Sequence, residues 1–257
     1  MSDFFNIVIP ATKVDDLLVN CVYHTLKQTH KNYRIVIVID DDYNIERLFS
    51  LPNKNHIKID LIKTSDVNIS TKRNLGANKS KSDFLAFIDS DAYPVKNWLK
   101  NSLNIFNEKK IEVVTGPSGL PFPNKSYLNN LINLSKRSYF SSGLWTKRKY
   151  STEDFFIDQA ETSNFIIKTE SFKKVGGMNE KIYIGEDTNF CKKINDFFGE
   201  KKMFYSGQSI IFHKDRSLKN FILQRLAWGM YIDVEFNNVN GGSISLILCK
   251  SKSSFSE

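Results

Sequence analysis

A chain of 257 residues with 41% hydrophobic and 25% charged side chains can fill one sizeable α/β core, and it lacks the bias of a disordered or fibrous protein. The formal net charge of +8 favours anionic partners (nucleotides, phosphorylated lipid carriers, anionic membranes) without choosing among them, since much of the Lys is scattered among Asn and Ser as on a solvated face. Three cysteines, Cys21, Cys191 and Cys249, form no CxxC pair, which argues against a disulfide framework or a zinc site and fits a reducing cytoplasm.

The N-terminal MSDFFNIVIPATK has no basic leader before a long apolar run, so no signal peptide is expected. No apolar stretch approaches the ~18 residues of a spanning helix. Phe5 to Ile9 reads as a strand closed by Pro10. Val14, Leu18, Val22 and Leu26 recur every four positions and predict a helix between Val14 and Gln28. Ile35 to Ile39 is a continuous β-branched run, the mark of a strand covered on both faces, and it stops at Asp40. Ile57 to Ile62 is a weaker strand, Ser70 to Asn78 a helix, and Phe84 to Ile88 a buried strand ending in Asp89-Ser90-Asp91.

Val95, Trp98, Leu99, Leu103 and Phe106 line one helical face, and Ile111 to Thr115 is another strand. Gly116 to Asp158 reads as an irregular excursion with a helix near Tyr127 to Ser138. Then follow a strand at Asn164 to Ile167, a short helix, Gly176-Gly177, a helix from Asp187 to Phe198 and a strand at Ser209 to His213. Leu218, Phe221, Ile222 and Leu226 mark a last amphipathic helix. Repeated β-α-β units imply a mostly parallel sheet with helices on both faces, whose ligands bind beyond the carboxyl ends of the strands. Those ends carry Asp40, Asp89 and Asp91.

Each candidate residue also has an ordinary structural use. Asp89 and Asp91 suit a turn; in extended geometry their carboxylates share one side and suit Mg2+ or Mn2+ beside substrate phosphates. Glu186-Asp187 at a helix start is favoured by the helix dipole, and such a carboxylate also serves as a general base facing a hydroxyl. Asp40 ends a strand or contacts a ribose or base. His213 follows an apolar run, as a core histidine or a phosphate or metal contact does. Lys72 and Arg73 near a helix start make an anion site or a solvated face, the latter reading fitting Lys72 better.

In order, these pieces resemble the family 2 glycosyltransferases, from Ile7 to about Gly229. IVIPATK resembles the opening strand and its Pro turn, IVIVIDDDYN the second strand with its acidic tip, and NISTKRNLGANKSKSDFLAFIDSDAYP the Arg-Asn helix and D-x-D strand. SNFIIKTESFKKVGGMNEKIYIGEDTNFCKKI resembles the segment carrying Gly-Gly and the Glu-Asp motif, and IIFHKD the usual ending. Two features depart from the pattern. Asp42-Tyr43 stands where the family often has Gly-Ser, and Gln224-Arg225 with Trp228 only loosely echoes the Gln-x-x-Arg-Trp of processive members, so a non-processive enzyme is expected.

The resemblance implies a GT-A, Rossmann-like, mostly parallel sheet flanked by helices over residues 1–215, with nucleotide-sugar binding in about 1–117 and the acceptor side in about 118–215. Residues 216–257 form a C-terminal helical extension in this reading. It implies an inverting transfer from a nucleoside-diphosphate sugar to a hydroxyl of a glycan or lipid-linked acceptor. The donor would contact Pro10, Ala11, Asp40, Arg73, Asp89, Ser90 and Arg225. Asp91 would hold Mn2+ or Mg2+, with Asp89 and His213 as further metal or diphosphate contacts, and Asp187 would be the base, with Glu186 as second choice. Surface polysaccharide or glycoconjugate synthesis in the cytoplasm, at the inner membrane face, follows from the same resemblance, the charge and the aromatic C-terminal region.

Rival readings are a nucleotidyltransferase of similar fold, or an inactive nucleotide-sugar-binding scaffold. The lack of glycine between Pro10 and Leu18 counts against the first and against a dinucleotide-dependent dehydrogenase. The presence of both acidic pairs counts against the second. No RNA-recognition aromatic signature is visible, so no nucleic-acid partner is expected.

Overall fold

The computed structural model of the chain describes residues 3–40, 46–52, 56–79, 81–121 and 145–213. The expected helices at Tyr127 to Ser138 and after Leu218, the C-terminal extension, Arg225 and Trp228 lie outside the described residues.

In chain order the elements are β1 (Phe5–Pro10), α1 (Asp16–Thr25), β2 (Tyr33–Asp40), α2 (Glu46–Phe49), β3 (Lys58–Thr64), α3 (Ile69–Asn78), β4 (Phe84–Ile88), β5 (Ala92–Pro94) and α4 (Trp98–Glu108). There follow β6 (Val113–Thr115), β7 (Leu120–Pro121), α5 (Trp145–Tyr150), β8 (Phe155–Ile157), β9 (Asn164–Lys168), α6 (Thr169–Lys174), α7 (Glu186–Phe198), β10 (Met203–Tyr205) and β11 (Ile211–His213). The segment read as irregular thus carries β7, α5 and β8, and β10 was not foreseen; three-residue strands are too short to show a period.

The main sheet has eight strands in the order β3-β2-β1-β4-β9-β6-β10-β8. β3, β2, β1 and β4 run parallel; β9 is antiparallel to both β4 and β6, and β8 is antiparallel to β10. The expected mostly parallel sheet is therefore present, with β9 and β8 reversed. A second, three-stranded sheet takes the order β5-β11-β7.

Alternation along the strands divides the core. Ile7, Ile9, Ile35, Ile37, Ala86 and Ile88 face Leu18 and Val22 of α1 and Trp98, Leu99 and Leu103 of α4. On the other side Leu85, Phe87, Phe165 and Ile167 meet Phe172 of α6 and Phe190, Cys191 and Ile194 of α7. Because β2 and β4 are covered on both faces, their apolar runs at Ile35–Ile39 and Phe84–Ile88 are continuous and legible in the sequence. Helix α1 starts where Asp15 accepts from the Leu17 and Leu18 amides at 3.1 Å, later than the apolar stripe indicates.

Helix α3 packs differently. Its buried residues are Ser70, Lys72, Arg73, Gly76 and Ala77, so it has a polar inner face and no apolar stripe. Gly76 allows it to lie close on the sheet: a Cβ there would stand 2.4 Å from Val8 Cγ1. Gly→Ala inside a helix ordinarily gains about 1 kcal/mol. Here overpacking against a stiff, buried valine outweighs that gain, and we expect Gly76→Ala to cost on the order of 1–3 kcal/mol in urea unfolding. An unchanged or raised midpoint would refute this packing argument.

Candidate active site

The parallel registers align the ends of β1 and β2, with Pro10 opposite Val38. Ala11, Asp40 and Asp89 therefore emerge together at the carboxyl ends of these strands and of β4. The Ala11 amide bonds the Val38 carbonyl at 2.8 Å, and the Ala11 carbonyl accepts from Lys72 Nζ at 2.8 Å. Lys72 also ion-pairs with Asp40. At 2% exposure Lys72 is buried, which corrects its reading as a solvated residue: its ammonium is held by acceptors from two other strand ends.

Asp89, Ser90 and Asp91 do not continue β4 in extended form. They make a turn in which the Ala92 amide bonds the Asp89 carbonyl at 3.1 Å, with Ser90 half-buried at its centre. The turn and ligand readings are thus compatible, because the carboxylates converge through the turn instead of along a strand. The third member comes from far along the chain. Antiparallel pairing of β11 with β5 sets His213 opposite Ala92. His213 Nε2 lies 3.2 Å from Asp91 Oδ1 and 3.8 Å from Asp89 Oδ2.

One donor atom from each of Asp89, Asp91 and His213 lies within 4.8 Å of the others. Adjacent ligands on a cation with bonds near 2.1 Å stand about 3 Å apart, and opposite ones about 4 Å. Two carboxylate oxygens and an imidazole nitrogen, partly open to solvent, therefore fit a divalent ion such as Mn2+ or Mg2+ with positions left for substrate oxygens. Burial alone raises the Asp89 carboxyl, but His213 and Arg73 outweigh it and hold the group down at about 2. Cys21 reaches the Asp89 carbonyl at 3.5 Å, yet burial pushes its thiol far above the usual range, so it is a neutral packing group and no thiolate ligand.

Arg73, also 2% exposed, joins two motifs that the sequence separates. Its Nη2 donates to Asp89 Oδ1 at 2.9 Å and its Nη1 to Glu186 Oε1 at 3.2 Å. Glu186 opens α7 after Gly185, whose φ of 81° lies in the left-handed region that glycine tolerates. The next residue, Asp187, accepts from the Thr188 amide at 2.8 Å. Burial, then the charges of Glu186 and Glu161, push its carboxyl up to about 6, against the opposing Thr188 amide and Arg73. Glu161 is tied to Ser118 at 2.8 Å and Lys149 at 2.6 Å. Glu161 lies between the irregular stretch and the strand at Asn164, where no periodicity or motif marks it in the sequence.

Sheet, strand-end acids and helix-start acids together define an α/β protein whose acids stand beyond the carboxyl ends of the strands, where ligands of such sheets bind. The sequence matches the family model for glycosyl transferase family 2 over residues 6–176, and the chain belongs to that family. Among curated relatives, glycosyltransferase GlyG of Streptococcus pneumoniae is 28% identical over 45% of this chain and 39% of its own length. Glycosyltransferase AglE of Haloferax volcanii is 23% identical over 75% of this chain and 62% of its own. The solved structure of S. aureus TarS residues 1–349 superposes with a TM-score of 0.59 at 15% identity, over 82% of this chain and 60% of that one. Its complex with UDP-GlcNAc gives 0.58 at 16% identity, over 83% and 59%. The chain thus spans less than two thirds of these relatives, and the likeness to TarS shows a shared GT-A fold. Family membership supports an enzyme of glycosyl transfer.

Proposed function

We propose that this chain transfers a sugar from a nucleoside-diphosphate donor to an acceptor hydroxyl with inversion at the anomeric carbon. The observation that carries the reading is the joining of two acidic sites by Arg73: a charged Asp89 on one side, and a proton-accepting Asp187 beside Glu186 on the other. The nucleotide lies over the strand ends, near Pro10, Ala11 and the Lys72-held Asp40, with Ser90 at the turn. Asp89, Asp91 and His213 would hold Mn2+ or Mg2+, which when bound offsets the charge growing on the departing diphosphate.

Glu186 is engaged by Arg73 and remains an acceptor of its hydrogen bond. Burial raises the proton affinity of the Asp187 carboxyl, and it takes the proton from the acceptor hydroxyl as that oxygen attacks the anomeric carbon. Attack from the side opposite the nucleotide inverts the centre in one displacement. A glycan or lipid-linked acceptor, in surface polysaccharide or glycoconjugate synthesis, fits the basic chain. Work at the inner face of a membrane would be peripheral as far as the described residues go, since no helix among them is long and apolar enough to cross one.

The test is thermal unfolding with a panel of nucleoside diphosphates and nucleotide sugars, with Mn2+ or with chelator. A ligand at a hundred times its Kd adds about 2.7 kcal/mol, a rise of roughly 5–10 °C for a domain this size. We expect a Mn2+-dependent rise with one nucleotide class, and loss of the Mn2+-dependent part in Asp91→Ala. No rise with any nucleotide at such concentrations would sink the proposal.

A further inference from the structure

We infer that Arg73 couples the Asp89-Asp91-His213 site to the start of α7, so that Glu186 tunes the cation affinity of a cluster to which it does not belong. The inference rests on the cation reading above. A guanidinium commonly meets one carboxylate through two parallel bonds. Arg73 instead gives one arm to Asp89 at 2.9 Å and the other to Glu186 at 3.2 Å. Its Nε is buried and has no hydrogen-bond partner among the described residues. One nearly dry cation is therefore shared between two carboxylates and satisfies neither with a full fork.

Asp89 is the carboxylate that a divalent ion must also use. The charge of Arg73 competes with that ion for Asp89, and Glu186 draws the same charge away. Neutralising Glu186 leaves Arg73 leaning on Asp89, which weakens cation binding. By reciprocity, cation binding at Asp89 turns Arg73 towards Glu186 and tightens the first turn of α7. That turn carries Asp187, the neighbour of Glu186. Loading of the donor side thus steadies the turn that carries the proposed base.

The experiment is Mn2+ binding to the metal-free protein at pH 8, followed by the loss of the free-ion paramagnetic resonance signal, without any substrate. Asp187 is ionised at that pH, so Asp187→Asn removes a full charge one residue from Glu186 without touching the guanidinium. We expect Glu186→Gln to weaken Mn2+ by at least about fivefold, the lower end of coupling between sites, and Asp187→Asn by less than about twofold. Equal losses in the two variants would show only the lost through-space attraction of a carboxylate for the cation and overturn the coupling. An unchanged or tighter Mn2+ affinity in Glu186→Gln would overturn it as well. If wild-type Mn2+ binding is undetectable or survives Asp91→Ala, the cation reading itself fails and the coupling falls with it.

Discussion

Asp187→Asn is expected to lower kcat by roughly 10²- to 10⁴-fold, the range of a lost general base, while nucleotide affinity stays within about twofold. The substitution is isosteric, and the Asn oxygen can still accept from the Thr188 amide. The wild-type kcat should rise with pH along a limb whose apparent pKa lies near 6, since Asp187 must be ionised to accept a proton. Stability should change in the opposite direction. A carboxyl whose folded pKa is raised binds its proton more tightly in the folded chain than in the unfolded one, where it titrates near 3.8. Its stabilising contribution is complete below about pH 4 and is lost as pH rises through about 6.

At pH 8 the Asn variant should therefore be more stable than wild type, by on the order of 1–3 kcal/mol, and this advantage should vanish towards pH 4. Retained turnover would remove Asp187 as the base. A variant less stable than wild type at pH 8 would refute the account of its raised proton affinity.

Asn164→Leu is expected to cost about 2–5 kcal/mol, which lowers Tm by roughly 10 °C in a domain of this size. Asn164 is fully buried at the start of β9 and joins three separate segments. Its Oδ1 accepts from Trp98 Nε1 at 2.9 Å, and its Nδ2 donates to the Pro117 carbonyl at 3.0 Å and the Ser209 carbonyl at 2.7 Å. Leucine fills a similar volume but strips the indole N–H and the Ser209 carbonyl of these bonds; the Pro117 carbonyl keeps the Ile211 amide at 3.0 Å. Each buried polar group left unpaired costs about 1–3 kcal/mol. Ser209 leads into β11, so the same variant should loosen His213 and weaken Mn2+ binding. A Tm within 2–3 °C of wild type, equivalent to about 1 kcal/mol, would mean that water replaces the amide and that the network is not what holds β11.

The contrast between Ile35–Ile39 and α3 marks the limit of what could be read locally. The first is buried on both faces, so every residue in the run is apolar and the strand announces itself. Helix α3 is just as firmly packed, yet its inner face holds Lys72 and Arg73, and local periodicity makes such a face look solvated. Their partners Asp40, Asp89 and Glu186 come from three other elements. Similarly, Asp89-Ser90-Asp91 is legible as a turn from composition, while convergence with His213 requires β11 to pair with β5.

By itself the sequence determined the parallel β-α-β core, the acidic strand ends, the Glu186-Asp187 helix start and, through motifs in order, the family. Each of these depends on side chains close together in the chain, where burial on both faces or a cap leaves a local signature. Tertiary structure alone decided that the Asp89 carboxyl is held down and the Asp187 carboxyl pushed up. Proton affinity depends on burial and on charges within a few ångströms, and Arg73, Glu161 and His213 reach those places only when strands and helices distant in sequence pack together.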